Sequence, residues 1–142
     1  MEYLPGKDLL HTLRKFPNLK LKVIQKIIRN CLEGIQCLHR NNIIHRDLKP
    51  QNIMINEDDF SAKIIDFGLS LILKENMNKK LFKRCGTMGF MAHEVITNTP
   101  LNRQPYDQKC DIFSMGIIIH IMLTGNNPLR GKTYEETYKN NS

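Results

Sequence analysis

The stretch "IIHRDLKPQNIMI", residues 43 to 55, decides the fold that we expect for this chain of 142 residues. Apolar residues open it at 43–44 and close it at 53–55, so both ends favour β-strands. Between them lie the polar or charged residues His45, Arg46, Asp47, Lys49, Gln51 and Asn52. Burying charged groups is costly unless they are paired or used. The stretch therefore either crosses a solvated surface or forms a working site.

The segments on either side of this stretch predict a helix before it and a hairpin after it. A further strand is predicted at 62–65, and "NEDD" at 56–59 has the composition of the connecting turn. Before the stretch, apolar residues recur at steps of three and four, as in an amphipathic helix that ends near 39–40: Leu21, Ile24, Ile28, Cys31, Ile35 and Leu38.

Three more helices are predicted along the chain. Asp8 can cap a short helix that carries three leucines, at residues 9, 10 and 13. An apolar helix is expected from about 107 to 123, where "TGNNP" follows, and another is expected from Thr133 onward. Residues 66–91 are predicted to form a long loop, and loops of that length are usually functional or disordered.

This order of elements predicts an α+β fold that is mainly helical and contains one small β-hairpin. The hairpin would present two polar loops, 45–52 and 66–68, at neighbouring ends. Two such loops that meet can hold a metal ion and a phosphate group.

Charge, cysteine spacing and hydropathy bear on the partners and the location that we expect for this protein. The net charge of +7 and the pI near 9.3 raise the question of a nucleic-acid or anionic-lipid partner. A basic surface is the simpler interpretation, because no stripe alternates Lys or Arg with aromatic residues. The four cysteines form no C-x-x-C pair, which favours free thiols in a reducing compartment, and the longest apolar run, 116–123, is too short to span a bilayer. We therefore expect an intracellular, cytoplasmic protein with no membrane span and no nucleic-acid partner.

Four segments match motifs of one enzyme family, in that family's order. "HRDLKPQN" (45–52) matches the H-R-D-L-x-x-x-N catalytic loop of protein kinases. "DFG" (66–68), "CGTMGFMAHE" (85–94) and "DQKCDIFSMG" (107–116) are similar to three later kinase segments. The chain thus resembles the larger, C-terminal lobe of eukaryotic-type protein serine/threonine kinases. It is most similar to the calcium/calmodulin-dependent and calcium-dependent group.

The resemblance implies ATP-dependent phosphorylation of serine and threonine in protein substrates, with ATP and Mg²⁺ as cofactors. Asp47 would accept or orient the proton of the substrate hydroxyl, and Lys49 would reach the transferred phosphoryl group. Asn52 and Asp66 would supply the oxygen ligands that Mg²⁺ favours. Thr87 would hydrogen-bond Asp47 and Lys49 and shape the site for the residue after the acceptor.

Taken one at a time, these residues have simpler interpretations. Asp47 and Asp66 are typical turn residues, and Asn52 can cap backbone groups. His45 is expected to be a core histidine whose ring is hydrogen-bonded. By resemblance, Asp111 accepts backbone N–H groups of the catalytic loop. The four motifs together favour the catalytic interpretation of the loop residues.

The opening residues, "MEYLPGKDL", resemble the hinge between the two kinase lobes. By that resemblance, the backbone of Glu2 and Leu4 would bind the adenine edge of ATP. Asp8 would meet the ribose hydroxyls, and Met54 would lie under the adenine ring. An ordinary strand end is the alternative for this short segment.

The resemblance covers the hinge and part of the larger lobe, so residues 1–142 are expected to be a partial protein kinase domain. The Gly-rich loop and the strand Lys that hold the phosphates, and the last helices of the larger lobe, would lie outside it. We therefore expect negligible phosphotransfer by these residues alone. Any calcium-linked regulation would act through regions outside this chain.

Two other functions stay open at this point. His93, Met88 and Phe113 stand where the family has Pro, Pro and Trp, although these are packing positions. A catalytically inactive, truncated or pseudokinase module that acts by binding proteins is therefore the alternative. A basic nucleic-acid binder is a third function, and it depends on net charge alone.

Overall fold

The structure, a computed structural model, describes residues 5–73, 81–101 and 105–142. Its strands are β1 (Lys7–Asp8), β2 (Ile43–Ile44), β3 (Ile53–Ile55), β4 (Ala62–Ile64) and β5 (Leu71–Ile72). Its helices are α1 (Leu9–Lys15), α2 (Leu21–Arg40), α3 (His93–Ile96), α4 (Lys109–Thr124) and α5 (Tyr134–Asn141). The α+β, mainly helical fold predicted from the sequence is confirmed.

The long helix α2 lies where its apolar period predicts it. Its apolar face, at steps of three and four, is buried in the core through Ile24, Ile27, Cys31 and Ile35. The helix ends at Arg40, and Asn42 then adopts a φ of 57°, a conformation that Asn tolerates better than most residues. The chain can therefore turn back directly into β2.

The predicted hairpin is the antiparallel pair β3–β4, in which Ile53 lies opposite Ile64. Its turn is formed by residues 56–61, and Asn56 Oδ1 accepts a hydrogen bond from the backbone N–H of Asp58, as turn asparagines commonly do. The other edge of β3 pairs with β1, so the sheet order is β1-β3-β4. Strand β3 therefore lies between β1 and β4, and Asp8 lies opposite Met54.

Two features differ from the prediction of one long loop at 66–91. Residues 71–72 form β5, which pairs with β2, and Leu81 makes an isolated bridge with Tyr106. Both pairings join segments that are distant along the chain, so no local period indicates them. Part of the predicted loop, residues 74–80, lies outside the described residues.

Helix α4 contributes one buried face to the core. Met115, Ile118 and Met122 pack into the same core as α2 and the hairpin. The helix begins two residues later than predicted, because Asp107 Oδ1 accepts the N–H of Lys109 at 2.8 Å and holds a turn there. It ends at Gly125, whose φ of 77° suits glycine.

The cysteines behave as the sequence predicts. All four are free thiols, and Cys31 and Cys110 are buried in the core. Burial raises the pKa of both thiols, that of Cys31 to about 12, because the thiolate would be poorly solvated there. Within the described residues, no helix combines the length and apolar character needed to cross a membrane.

Candidate active site

A buried carboxylate supports the loop that opens with His45. Asp111, in the first turn of α4, has no exposed surface. Its Oδ2 accepts the backbone N–H of His45 at 3.0 Å, and its Oδ1 accepts that of Arg46 at 2.8 Å. Arg46 has a φ of 67°, which is uncommon for a residue with a side chain. The expected contact between Asp111 and the loop is therefore present, and it supports a strained backbone.

The side chains of Asp47, Lys49 and Thr87 form a closed set of hydrogen bonds. Thr87 Oγ1 donates to Asp47 Oδ1 at 2.6 Å. Lys49 Nζ donates to Asp47 Oδ2 at 2.8 Å and to Thr87 Oγ1 at 2.9 Å. We call these three residues, together with Asn52, the Asp47 cluster. The hydrogen bonds that the resemblance implies for Thr87 are present.

Asn52 joins this cluster from the 3₁₀ turn at Pro50–Asn52 that precedes β3. Its Nδ2 donates to the backbone oxygen of Asp47 at 2.9 Å and to Asp47 Oδ2 at 3.2 Å. No hydrogen bond within the described part of the chain uses Oδ1 of Asn52. The amide is thus anchored through its nitrogen, and its oxygen remains available to a ligand.

The imidazole of His45 links this loop to the loop that contains Asp66. The N–H of Asp47 donates to His45 Nδ1 at 3.3 Å, and His45 Nε2 lies 3.1 Å from the carbonyl oxygen of Ile65. Because Nδ1 accepts and a carbonyl can only accept, these partners assign the neutral tautomer with the proton on Nε2. The ring is fully buried and lies 5.2 Å from the ring of Phe67, centroid to centroid. His45 is the hydrogen-bonded core histidine that we expected.

The position of Asp66 is set by the backbone beside Asn52. The N–H of Ile65 donates to the backbone oxygen of Asn52 at 3.0 Å, so the next residue begins its turn beside Asn52. Asp66 has a φ of 62°, and its Oδ1 accepts the N–H of Gly68 at 3.1 Å. Its side chain is exposed, so a carboxylate oxygen is available to solvent or to a ligand.

The oxygen donors of this region suit a magnesium ion that is shared with a ligand. Within the described residues, no group of three or more His, Cys, Asp or Glu side chains could enclose a metal ion. Mg²⁺ usually takes only one or two carboxylates and completes its shell with water and substrate phosphates. One amide oxygen, from Asn52, and one carboxylate, from Asp66, therefore fit Mg²⁺ carried by a phosphate ligand.

Two of the four residues predicted to contact the nucleotide lie close together. Asp8 and Met54 are direct cross-strand partners in the β1–β3 pair. Asp8 Oδ1 accepts the N–H of His11 at 2.9 Å, which confirms the predicted helix cap and leaves Oδ2 without a hydrogen bond in the described residues. Met54 is half-buried. Glu2 and Leu4 lie outside the described residues, so the hinge contacts stay a prediction.

Sequence analysis missed two asparagines that hold the segment after Thr87. Asn141, buried in α5, accepts the N–H of Gly89 at 2.9 Å and donates to the backbone oxygen of Met91 at 2.6 Å. Asn127 Nδ2 donates to the oxygen of Gly89 at 3.1 Å. These residues come from distant helices and loops, so no local pattern could have indicated them.

Comparison with known proteins agrees with this geometry. The family model described as protein kinase domain matches residues 1–142. The chain is 41% identical over 117 residues to calcium-dependent protein kinase 4 of Plasmodium berghei, an alignment that covers 80% of this chain and 21% of that kinase.

Two further relatives align over more of the chain. It is 38% identical over 144 residues to probable serine/threonine-protein kinase 2 of Plasmodium falciparum, covering 99% of this chain and 26% of that protein. It is 37% identical over 129 residues to serine/threonine-protein kinase cds1 of Schizosaccharomyces pombe, covering 90% and 28% respectively. The chain thus spans 21–28% of the length of these relatives. Since the family model matches the whole chain, the chain belongs to the protein kinase domain family.

Proposed function

We propose that residues 1–142 act as part of a protein kinase domain that transfers the γ-phosphoryl group of ATP to serine and threonine side chains of proteins. The observation that carries this proposal is the closed set of hydrogen bonds in the Asp47 cluster. The names of the relatives favour serine and threonine as acceptors. One relative is named as calcium-dependent, which supports calcium-linked regulation through regions outside this chain.

Asp47 is arranged to receive a proton. A carboxylate offers about four acceptor positions, two on each oxygen. Lys49 and Asn52 take both positions on Oδ2, whereas Thr87 takes one on Oδ1. One position on Oδ1 is left, so the geometry presents one acceptor to a substrate hydroxyl.

Lys49 is arranged to meet negative charge. Its ammonium has three donors, and two of them are directed at Asp47 and Thr87. The third can reach an oxygen of the transferred phosphoryl group. The side chain of Lys49 is only 22% exposed, and a charge in such a partly dry position acts more strongly than one in water.

Asn52 and Asp66 would hold the metal ion, and Asp8 and Met54 would line the nucleotide site. When bound with ATP, Mg²⁺ neutralises charge on the phosphates. The residues of this chain would hold the phosphoryl group and the hydroxyl in position, because this reaction depends mainly on positioning and charge.

The test is the replacement Asp47→Asn in the full-length protein. We expect phosphorylation of a generic serine-containing protein substrate with MgATP to fall by roughly 10²–10⁴-fold, the usual contribution of a positioned base. Asp58→Asn is the matched control, because Asp58 is exposed in the hairpin turn and takes no part in the cluster. Binding of a fluorescent ATP analogue checks that the variant site is intact.

An Asp47→Asn variant that retains the rate of the unchanged protein would contradict the proposed role of Asp47. An unchanged protein that folds and binds partners, but phosphorylates nothing with MgATP, would favour the inactive protein-binding module instead. Activity that is lost equally in the Asp58→Asn control would show that the effect is not specific to the site.

A further inference from the structure

An open groove of about 600 Å³ lies beside the Asp47 cluster. Gln51, from the same loop as Asp47, forms one part of its wall, and Met88, the neighbour of Thr87, forms another. The remaining walls come from α1, from the end of α4 and from the segment that leads into α5. We call this the basic groove, for the charges described next.

The charged residues that line the basic groove all carry the same sign. They are Arg14, Arg130 and Lys132, and no Asp or Glu is among the lining residues that the structure describes. All three are exposed, and within the described residues none of their side chains has an ion pair or a hydrogen bond. Elsewhere in the same residues, Lys15, Lys26 and Lys49 each pair with a carboxylate. The groove therefore brings together three exposed cations that have no ion pair within the described residues.

An acidic side chain close to Lys132 along the chain, Glu136, takes part in capping a helix. Glu136 accepts the backbone N–H of Lys132 at 2.6 Å, while Thr133 Oγ1 accepts the N–H of Glu136 at 3.1 Å. This pair of contacts closes the start of α5 in the manner of a capping box. Glu136 thus binds the backbone of Lys132 and leaves its ammonium unpaired.

The position of the groove relates it to the substrate of the proposed reaction. A serine or threonine whose hydroxyl meets the open position of Asp47 Oδ1 would lie beside Thr87, because the Thr87 hydroxyl takes the other position on that oxygen. Gln51 and Met88 continue from those two residues into the groove wall. The residues that flank the acceptor in a peptide would therefore enter the groove.

We propose that the basic groove binds acidic side chains next to the acceptor, so that the preferred substrates are serine or threonine residues in acidic segments. This inference rests on the proposed function, since it concerns the substrate of that site. Arginine binds carboxylates through two parallel hydrogen bonds, and complementary charge selects partners and speeds their encounter. The same three cations repel Lys and Arg, so basic segments are rejected.

The first experiment measures selectivity in the full-length protein. Peptides of one length, with a central serine flanked by either Glu or Lys, are phosphorylated with MgATP. We expect the Glu-flanked peptide to react about tenfold or more faster at low salt. The triple variant Arg14→Glu, Arg130→Glu, Lys132→Glu should remove or reverse this preference, because three exposed charges act together.

The matched control changes three exposed basic residues that do not line the groove, Lys20→Glu, Lys22→Glu and Lys109→Glu. It alters the net charge by the same amount as the groove variant. If the general basic charge of +7 produced the preference, both triple variants would lose it to the same extent, and the groove proposal would be overturned.

The second experiment measures binding without catalysis. A fluorescein-labelled peptide with Ala in place of the central serine, flanked by Glu, is titrated with the full-length protein, and anisotropy reports binding. We expect about tenfold weaker binding by the groove variant than by the control variant, and a loss of binding with rising salt. Equal binding by both variants would contradict the groove proposal even in an active kinase.

The two proposals fail in different ways. Phosphorylation that prefers basic or neutral peptides overturns the groove proposal and leaves the kinase proposal standing. Binding of the Glu-flanked peptide through the three groove cations, with no phosphorylation of any peptide, supports the groove and overturns the kinase proposal.

Discussion

The β3–β4 hairpin carries a Lys–Asp pair near each of its ends, and the two pairs are built differently. At the turn, Lys26 Nζ lies 3.2 Å from Asp59 Oδ2, and their side chains are 43% and 53% exposed. At the other end, Lys49 Nζ lies 2.8 Å from Asp47 Oδ2, with exposures of 22% and 11%. The same two chemical groups therefore stand in water at one end and in a partly enclosed site at the other.

The partners of the two aspartates explain the difference. Asp59 accepts the N–H of Ser61, two residues along the chain, so its role is complete once the turn has formed. Asp47 is bonded to Thr87, forty residues away, and its loop is held by Asp111. We call the end of the hairpin at Asp59 the turn end and the end at Asp47 the site end. The turn end uses its charges to stabilise local structure. The site end brings charged and polar side chains together from three segments and leaves an acceptor position of Asp47 open for a ligand.

The largest effect is expected when the support of the site end is removed. Asp111→Asn replaces a buried carboxylate that accepts three hydrogen bonds, one of them from His39. We expect a loss of roughly 3–5 kcal/mol in the free energy of unfolding, as for other broken buried charge networks. Urea unfolding of the full-length protein measures it. Asp107→Asn, at an exposed aspartate before the same helix, is the control and should change little. Equal losses in both variants would contradict the proposed support.

A smaller effect is expected at Thr87, where the turnover rate is the measured quantity. Thr87→Ala leaves Asp47 Oδ1 and Lys49 without one partner each, which costs roughly 1–3 kcal/mol, or about 5–150-fold in kcat. The KM for ATP should stay the same, because within the described residues the Thr87 hydroxyl bonds only Asp47 and Lys49 and none of the residues proposed to line the nucleotide site. Thr87→Ser keeps the hydroxyl and should restore most of the rate.

The control for this prediction is Thr97→Ala. The hydroxyl of Thr97 bonds only the backbone oxygen of His93 in the described residues. A Ser variant as slow as the Ala variant would mean that the methyl group of Thr87, and not its hydroxyl, matters to the reaction.

The smallest effect is expected at the turn end. The backbone N–H of Ser61, with help from Lys26, lowers the pKa of Asp59 from 3.8 to about 2. Ionised Asp59 therefore stabilises the fold above about pH 4, and this contribution is lost as the pH falls toward 2. In Asp59→Asn the difference in unfolding free energy from the unchanged protein should shrink across that range. A difference that is constant with pH would contradict the lowered pKa, and Asp58→Asn provides the comparison at a neighbouring exposed carboxylate.

Local patterns predicted much of the fold. The period of α2, the turn composition at 56–59 and the capping by Asp8 each depend on residues close along the chain, and each is present. The pairing of β2 with β5 was missed because it joins residues nearly thirty positions apart whose match is set only by packing. The hydrogen bonds of Asn127 and Asn141 were missed for the same reason.

The candidate site was predicted only because its residues match a family's motifs. Nothing local to Thr87 indicates that its hydroxyl meets Asp47, and nothing local to Arg14 or Arg130 indicates that they share a groove. Their catalytic and binding roles stay predictions. The spacing of residues along the sequence predicts where loops occur, whereas only the tertiary structure shows which loops contact one another.

Gly86 lies where the segment before Thr87 passes the strained turn at Arg46. Its φ is 115°, and a Cβ placed on it would lie 2.7 Å from the backbone oxygen of Arg46. No L-amino acid with a side chain fits there without moving one backbone away from the other. Every missense change at this codon would therefore push apart the two halves of the site, so inherited variation should be far scarcer at residue 86 than at open glycines such as Gly116.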